Sequence, residues 1–550
     1  MSEVKKDNIY KTIRLTESYW PATSEKTLLE STVGQELRAA AAECPDRPAL
    51  VEGIPEYAHR RRWTYAQLLD DAERIASALL ARFKPGDHIA VWADNCVEWV
   101  LLEYGVALAG MVLVTVNPAY KYRELEYTIK QSDTVGLFLI DEYRGFNALE
   151  AALEVQKNVP SLKEIIRLAD LNTFMNSAPK RAEYPEVKPL DPFFIIYTSG
   201  TTGVQKGSLQ HNLGRLNCDF FIAERAGMEK GGVDINAMPL FHNGGCGCAV
   251  LGTLRFRGTI VIVTGGFNPS LVLNLFETEK GTFARLVPAM LEAILAVPDK
   301  NKYDLSSWKY VQTAGSFVEE QLVRRVQGEL GCAVCVSYGQ TESHGFITAT
   351  HRDDSPQDQS ATIGQPLPLT EVKIANPETG EVLPLMTDGE IWIRGYVSSM
   401  KYYNMPEATA KTVTPDGWLR TGDMGCMDER GFLRFRGRLK EMIVRGAENI
   451  YPAEVEALLK EHPKVADAAV VGVPHPTWEQ EVAAVIKPRS TEDMPTAQEL
   501  DAFCKENLTH FKRPRIWSFV SELPITASGK VQKFVLEDQI KNGELKTERT

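Results

Sequence analysis

The chain has 550 residues, of which 44% are hydrophobic and 24% charged, and its formal charge is −12. At roughly 100–200 residues per domain this length implies several structural units with a sizeable core, and the composition excludes a wholly disordered chain. The acidic balance argues against nucleic acid as a partner, because nothing global draws such a chain to a phosphate backbone, so anionic ligands must be met by local donors.

The amino terminus, Met1-Ser-Glu-Val-Lys-Lys-Asp7, has no apolar signal-peptide core and carries acidic residues early, so a cytoplasmic, reducing location is expected. Thr64 and Gln67 form a capping box, and Leu68, Ala72, Ile75 and Leu79 follow at helical spacing. Pro85-Gly86-Asp87 breaks the chain before Ile89–Trp92, a short buried strand. Val112–Val116, Gly136–Ile140, Phe193–Tyr197 and Thr259–Val263 repeat that strand pattern, with helical segments between most of them. The alternation predicts an α/β fold, a large N-terminal domain of layered helices and largely parallel sheets. The longest apolar stretch, Tyr104–Val116, is shorter than the ~20 residues that span a bilayer, so no integral membrane segment is expected.

The stretch Asp416–Glu441 is dense in Gly, Asp and Arg, and a smaller α/β pattern restarts after it. Ala453–Lys460 and Ala497–Leu508 read as helices, Val465–Val473 and Val482–Ile486 as strands. The predicted organisation is an N-terminal domain over 1–437 and a small mobile C-terminal α/β domain over 438–550. Lys512-Arg-Pro-Arg515 reads either as a solvated face or as phosphate-facing. The nine cysteines are scattered and odd in number. Cys246, Cys248, Cys332 and Cys335 can be drawn together as a zinc site, but Cys332–Val336 reads as a buried strand, where free cysteine behaves as a small hydrophobe.

Four motifs carry chemistry. Tyr197-Thr-Ser-Gly-Thr-Thr-Gly-Val-Gln-Lys206-Gly207 directly follows an apolar strand. Its glycines let the backbone approach a ligand closely, while the hydroxyls of Thr198, Ser199, Thr201 and Thr202, backbone N–H groups and the Lys206 ammonium can surround phosphate oxygens. It is not the G-x-x-x-x-G-K-[ST] loop, because Gly207 follows Lys206, and no G-x-G-x-x-G dinucleotide fingerprint occurs. In Tyr338-Gly-Gln-Thr-Glu342 the ring can stack on a purine and the carboxylate can hold Mg²⁺ beside phosphates. In Trp418-Leu-Arg-Thr-Gly-Asp423, followed by Gly437-Arg438, the carboxylate can accept bonds from ribose hydroxyls and the guanidinium can serve sugar or phosphate. Lys530, in Pro524-Ile-Thr-Ala-Ser-Gly-Lys530, sits on a loop able to bend toward a ligand.

In order and spacing these motifs resemble the adenylate-forming superfamily of acyl-CoA synthetases, luciferase and peptide-synthetase adenylation domains, from about Thr32 to Gln539. Within it the chain is most similar to the medium-chain acyl-CoA synthetases. Supporting segments are Val116-Asn-Pro-Ala-Tyr120, Met442–Pro452 and Ser528–Phe534. The resemblance implies an AMP-forming acid–thiol ligase that uses ATP, coenzyme A and Mg²⁺ to activate a small carboxylic acid, in particular a medium-chain or branched fatty acid. It implies that Thr198, Ser199, Gly200, Thr201, Thr202, Gly203 and Lys206 grip the triphosphate. Gly315, Ser316, Tyr338, Gly339, Gln340 and Thr341 would line the adenine and acyl pockets. Glu342 would ligate Mg²⁺, and Asp423 with Arg438 would bind ribose. Lys530 would bridge the attacking carboxylate and the α-phosphate, and Lys440 would be the hinge. Arg445, Gly446 and Glu448 would form the coenzyme A channel, with His242, Gly245 and Gly339 at the acyl pocket.

The sequence departs from the family where Gln205 replaces a usual proline and where Ser208–His211 is shortened. These changes bear on the adenylation step and leave open an enzyme specialised in forming the thioester from acyl-adenylate. A ligase that loads a carrier protein and a non-catalytic binding protein are the other readings, the last disfavoured by intact Lys530, Glu342 and Asp423. The small residues of Phe241-His-Asn-Gly-Gly-Cys-Gly247 leave either a roomy tunnel or close helix packing.

Overall fold

The computed structural model describes residues 9–22, 26–198, 205–398, 401–445, 448–525 and 531–550. Two of its sheets are the layered α/β units expected from the strand–helix alternation. The first runs, in spatial order, through 401–402, 206–211, 192–198, 112–116, 88–92, 134–139 and 164–167. Its five strands from 192–198 onward are parallel, and the two nearest the phosphate-type loop are antiparallel. The second is built on the parallel strands 333–338, 310–313, 283–285, 233–236, 259–263 and 48–53, closed at both edges by antiparallel pairs. Val112–Val116 and Thr259–Val263 are buried at every position, as continuous apolar strands between helical layers must be. Thr64 caps the helix Tyr65–Leu80 with the reciprocal Gln67 bond.

A third sheet corrects the expectation of largely parallel pairing. Strands 19–20, 370–375, 389–395, 419–427 and 433–438 form an antiparallel sheet. The stretch Asp416–Glu441, read from its composition as the break between two patterns, supplies two of these strands. Gly422 and Gly437 have φ of +71° and +148°, and the pairing shifts register between Met424 and Gly425. Glycine density here marks bulged strands rather than loop.

The last sheet is formed within 443–549, with the helices Pro452–Glu461, Ala497–Asn507 and Lys533–Lys541. Lys512-Arg-Pro-Arg515 is not a solvated face. Lys512 pairs with Glu454 at 2.7 Å, and Arg513, 7% exposed, pairs with Asp501 at 2.7 Å. Among the described residues no helix is long and apolar enough to cross a membrane.

An ion pair lies inside the first of these layers. Arg215 and Asp219, one turn apart on the helix Asn212–Arg225, are 2.6 Å apart with both side chains fully buried. Breaking one partner of such a pair leaves an uncompensated buried charge. Asp219→Ala is therefore expected to destabilise the fold by about 3–5 kcal/mol, read as a lowered urea midpoint at unchanged m-value.

Candidate active site

The strand Ala333–Tyr338 delivers Tyr338 to the antiparallel sheet. Its hydroxyl donates to Asp423 Oδ2 at 2.6 Å. Asp423 sits on a strand rather than in a turn. It lies 8% exposed within the strand Leu419–Met427, directly opposite Arg438, whose Nε is 3.7 Å from Oδ1. Burial, and next the Asp423 charge, push the Tyr338 phenol well up, so it stays a donor. A carboxylate held between a phenol and a guanidinium, at the rim of a sheet, is preset to accept bonds from a polyhydroxylated ligand.

Three residues after Tyr338 the chain turns at Thr341–Ser343 and presents Glu342. The turn is fixed from the neighbouring strand Lys206–His211, where Ser208 Oγ and Gln210 Nε2 both donate to the Thr341 carbonyl, at 3.3 and 2.7 Å. The same strand begins with Lys206, in register with Thr198. The Lys206 ammonium lies 4.9 Å from the centroid of the Tyr402 ring, and the Tyr402 hydroxyl donates to Glu342 Oε1 at 2.6 Å. Burial lowers the Lys206 pKa, and Lys440 and Lys411 lower it further while Glu342 opposes them. Two further ammonium groups thus lie within electrostatic reach of Lys206, with Glu342 the one opposing charge, which is the charge pattern of a polyanion site. Glu342 offers the hard oxygen Mg²⁺ prefers; among the described residues no group of three or more His, Cys, Asp or Glu could form a protein cage, so a metal here would be shared with phosphates.

The remaining candidates are placed as follows. Gly315, with φ +93°, and exposed Ser316 follow the strand Tyr310–Thr313, beside the strand that ends in Tyr338. His242 precedes the π-helical turn Gly244–Leu251. There Gly245 and Gly247 resolve in favour of close packing. A Cβ on Gly245 would meet the Pro239 carbonyl at 2.2 Å, and one on Gly247 would meet the Arg215 guanidinium at 1.4 Å. Gly339 is similarly tight, since a Cβ there would meet the Gly345 carbonyl at 2.0 Å. Gln205 keeps its carbonyl on the Tyr127 hydroxyl at 2.7 Å, and its Oε1 is buried without a partner. Arg445 is held by Glu481 at 2.8 Å and by the Phe511 carbonyl, and it pairs across a hairpin with exposed Glu448. Lys440 lies in the short turn Leu439–Glu441. Ser199, Gly200, Thr201, Thr202, Gly203, Gly446 and Lys530 lie outside the described residues.

The AMP-binding enzyme family model matches residues 37–403, and the model of that family's C-terminal domain matches 454–530. The chain belongs to the AMP-binding enzymes. The mouse protein named medium-chain acyl-CoA ligase ACSF2, mitochondrial, is 34% identical, covering 95% of this chain and 90% of its own. ATP-bound MatB from Rhodopseudomonas palustris is 26% identical with a TM-score of 0.83, covering 92% of this chain and 99% of that one. The Bacillus subtilis o-succinylbenzoate coenzyme A synthetase in complex with AMP is 27% identical with a TM-score of 0.81, covering 93% and 98%. With these relatives the chain is an AMP-forming acid–CoA ligase, and its large N-terminal and small C-terminal units follow the family architecture.

Tyr402, Lys411, Ser208 and Gln210 were not foreseen from sequence. The strand Lys401–Tyr402 reaches the site only because it pairs with Ser208–Leu209, a register that no local pattern announces. Tyr402→Phe, which keeps the ring beneath Lys206 but removes the bond to Glu342, is expected to slow acid-dependent ATP–pyrophosphate exchange about tenfold, within the range for a hydrogen bond to a charged group. Tyr402→Leu should lose more.

Two buried histidines brace the Glu342 turn. His344, at φ +58°, has its ring centroid 4.5 Å from that of His211, tilted by 54°, and His211 accepts from Gly214 N–H. Burial lowers the His211 pKa to about 4 and holds His344 well below its ordinary value. Above about pH 6.5 folded and unfolded chains both carry neutral imidazoles; below it only the unfolded chain takes up the protons. Stability should therefore fall as pH drops from about 6.5 toward 4, and His211→Asn, which retains a cap acceptor, should flatten that slope in urea titrations.

Proposed function

We propose that the chain activates a medium-length or branched aliphatic acid with ATP and transfers the acyl group to coenzyme A, releasing AMP and pyrophosphate. The observation that carries this is the juxtaposition of two chemistries across one short turn, the Tyr338–Asp423–Arg438 group on one side and Lys206, Lys411 and Lys440 around Glu342 on the other. The first suits a ribose, the second a triphosphate.

A carboxylate has no usable leaving group. Its oxygen attacks the α-phosphorus, pyrophosphate departs, and the acyl carbon now carries AMP as leaving group. The thiol of coenzyme A then attacks that carbon, AMP leaves, and the thiol proton is released. Asp423 and Arg438 hold the ribose, with Tyr338 orienting the carboxylate. Thr198 to Gly203 and Lys206 hold the triphosphate, and Lys530 bridges the acid and the α-phosphate. Glu342 would hold Mg²⁺, which neutralises phosphate charge when bound. Catalysis is positioning plus electrostatic stabilisation, and no protein nucleophile is needed. The ACSF2 relatives favour medium chain length for the acid. Nine free cysteines, seven of them buried, favour a reducing, cytoplasmic compartment, which fractionation would test.

We place the domain boundary between residues 437 and 438, with the hinge at Lys440. The last antiparallel strand ends at Arg438 and the first strand of the C-terminal sheet begins at Ile443. Lys533 pins the intervening turn through Glu441 at 3.1 Å and Glu456 at 2.7 Å. Rotation there would bring the hairpin of Arg445, Gly446 and Glu448 to coenzyme A, with Arg445 bracing it through Glu481.

A panel of acids, with AMP and acyl-CoA followed separately, tests the whole reading. Turnover confined to acetate or to a hydroxycinnamate would overturn the chain-length assignment, and transfer only to a phosphopantetheinyl protein would overturn the acceptor. Asp423→Ala should raise the ATP dissociation constant by about tenfold or more, since each charge-assisted bond contributes ~1.5–3 kcal/mol. Lys530→Ala should lose adenylation by ~10²–10³-fold yet form acyl-CoA from supplied acyl-adenylate at a near-normal rate, whereas Lys440→Pro should lose thioester formation even when acyl-adenylate is supplied.

A further inference from the structure

We propose that Tyr127 and Gln131, on a helix that carries none of the site residues assigned above, are positioning residues for the adenylation step: they hold the backbone on either side of Lys206 and beside Tyr402. This rests on the reading above that Lys206 faces the triphosphate, and it deepens that reading.

The helix Tyr122–Gln131 is a fixed platform. Its Leu125 and Ile129 are fully buried in the core of the first sheet, and its first turn is closed by the Lys121 N–H, which donates to Glu124 Oε2 at 2.9 Å. From this platform the Tyr127 hydroxyl donates to the Gln205 carbonyl at 2.7 Å. Gln131 uses both ends of its amide, Nε2 donating to the Tyr403 carbonyl at 2.6 Å and Oε1 accepting from the Tyr197 hydroxyl. The Tyr403 N–H donates in turn to the Gly207 carbonyl at 2.8 Å. Both neighbours of Lys206 and one neighbour of Tyr402 are therefore tied, directly or through one further bond, to the same helix. Lys206 and Tyr402 are the pair that meets as ammonium and ring at 4.9 Å, with Tyr402 bonded to Glu342.

Tyr197 and Gly207, the two ends of the hydroxyl- and glycine-rich motif, are register partners. The Tyr197 hydroxyl is taken up by Gln131, and a Cβ on Gly207 would meet Ile195 Cγ2 at 2.8 Å and stand 3.4 Å from Gln131 Oε1. These ends of the motif thus serve the protein rather than a ligand. Gln205 stands where the family usually has proline. A proline ring would fix φ there; glutamine leaves that torsion free, and Tyr127 holds the residue by its carbonyl instead. Burial raises the Tyr127 phenol, so it remains a donor. An ammonium aimed at a phosphate acts only from the right place, and its placement depends on the groups that lock its backbone. Pyrophosphate leaves before the thiol attacks, so a misplaced Lys206 harms the first half-reaction alone. A support for the fold in general would harm both.

The test measures the two half-reactions separately in Tyr127→Phe and Gln131→Met: acid-dependent ATP–pyrophosphate exchange, and acyl-CoA formation from supplied acyl-adenylate. Exchange should fall roughly three- to tenfold in Tyr127→Phe, which loses one neutral hydrogen bond, and further in Gln131→Met, which loses two. Transfer from acyl-adenylate should stay near the wild-type rate in both. If Gln131→Met fails to fold, Tyr127→Phe, which removes only a half-buried hydroxyl, carries the test. Added to Lys206→Met, Tyr127→Phe should cost little more than Lys206→Met alone, because the hydroxyl acts through that ammonium. Equal losses in the two half-reactions, full additivity with Lys206→Met, or exchange unchanged in Tyr127→Phe while Lys206→Met loses it, would overturn the proposal. If Lys206→Met itself left exchange intact, the phosphate assignment beneath the proposal would fail, and the proposal with it.

Discussion

The buried guanidinium of Arg215 is the interaction on which the interior of the site depends. Its N–H groups are divided among Asp219, Asn243 and the His344 carbonyl, which belong to a helix, to the start of a π-helical turn and to the turn that carries Glu342. A buried charge persists only when it is paired and its donors are used, so these three elements are obliged to keep one mutual geometry. Several local oddities follow from that requirement. Gly247 has no side chain because the guanidinium occupies that space, and Gly345 turns at φ +126° with Arg215 Nη1 3.1 Å from where its Cβ would stand.

The chemistry is divided on either side of this support. Toward the antiparallel sheet, Asp423 is fixed by Tyr338 and faces Arg438, a neutralised arrangement suited to hydroxyl groups. Toward the parallel sheet, Lys206 is repelled by Lys440 and Lys411 and attracted by Glu342, an arrangement that gains from binding an anion. Burial first, and then the neighbouring lysine charges, lower the Lys206 pKa. Such a pair of environments, joined by the short turn Thr341–Ser343, is the arrangement on which the proposed nucleotide site rests, sugar at one end and phosphates at the other.

Much of this was legible in the chain. The buried strands Val112–Val116 and Thr259–Val263, and the capped helix Tyr65–Leu80, follow from continuous apolar runs and from a reciprocal Thr–Gln cap. The C-terminal helices and strands were legible for the same reason. The antiparallel sheet was not. Its strands 419–427 and 433–438 carry Gly, Asp and Arg at the density of a linker, because bulges and the nucleotide-facing rim displace the apolar alternation by which strands are recognised. The basic run 512–515 was misread in the other direction, since its partners Glu454 and Asp501 lie outside the run itself, up to 58 residues away in the chain.

The sequence by itself determined the chemical inventory: a hydroxyl- and glycine-rich loop ending in Lys206, the Tyr338–Glu342 segment, Asp423, Arg438 and Lys530, in the order of an adenylate-forming enzyme. It did so because these groups must recur at short spacings to reach a phosphate or a sugar from one loop. Only the tertiary structure decided which of them meet. Asp423 finds Tyr338 across 85 residues, and Glu342 finds Tyr402 across 60. It also decided that Gly245 and Gly247 make room for protein rather than for a tunnel at those two positions. Contacts of that kind are set by sheet register and by the packing of buried charge, and neither leaves a periodic mark on the residues that make them.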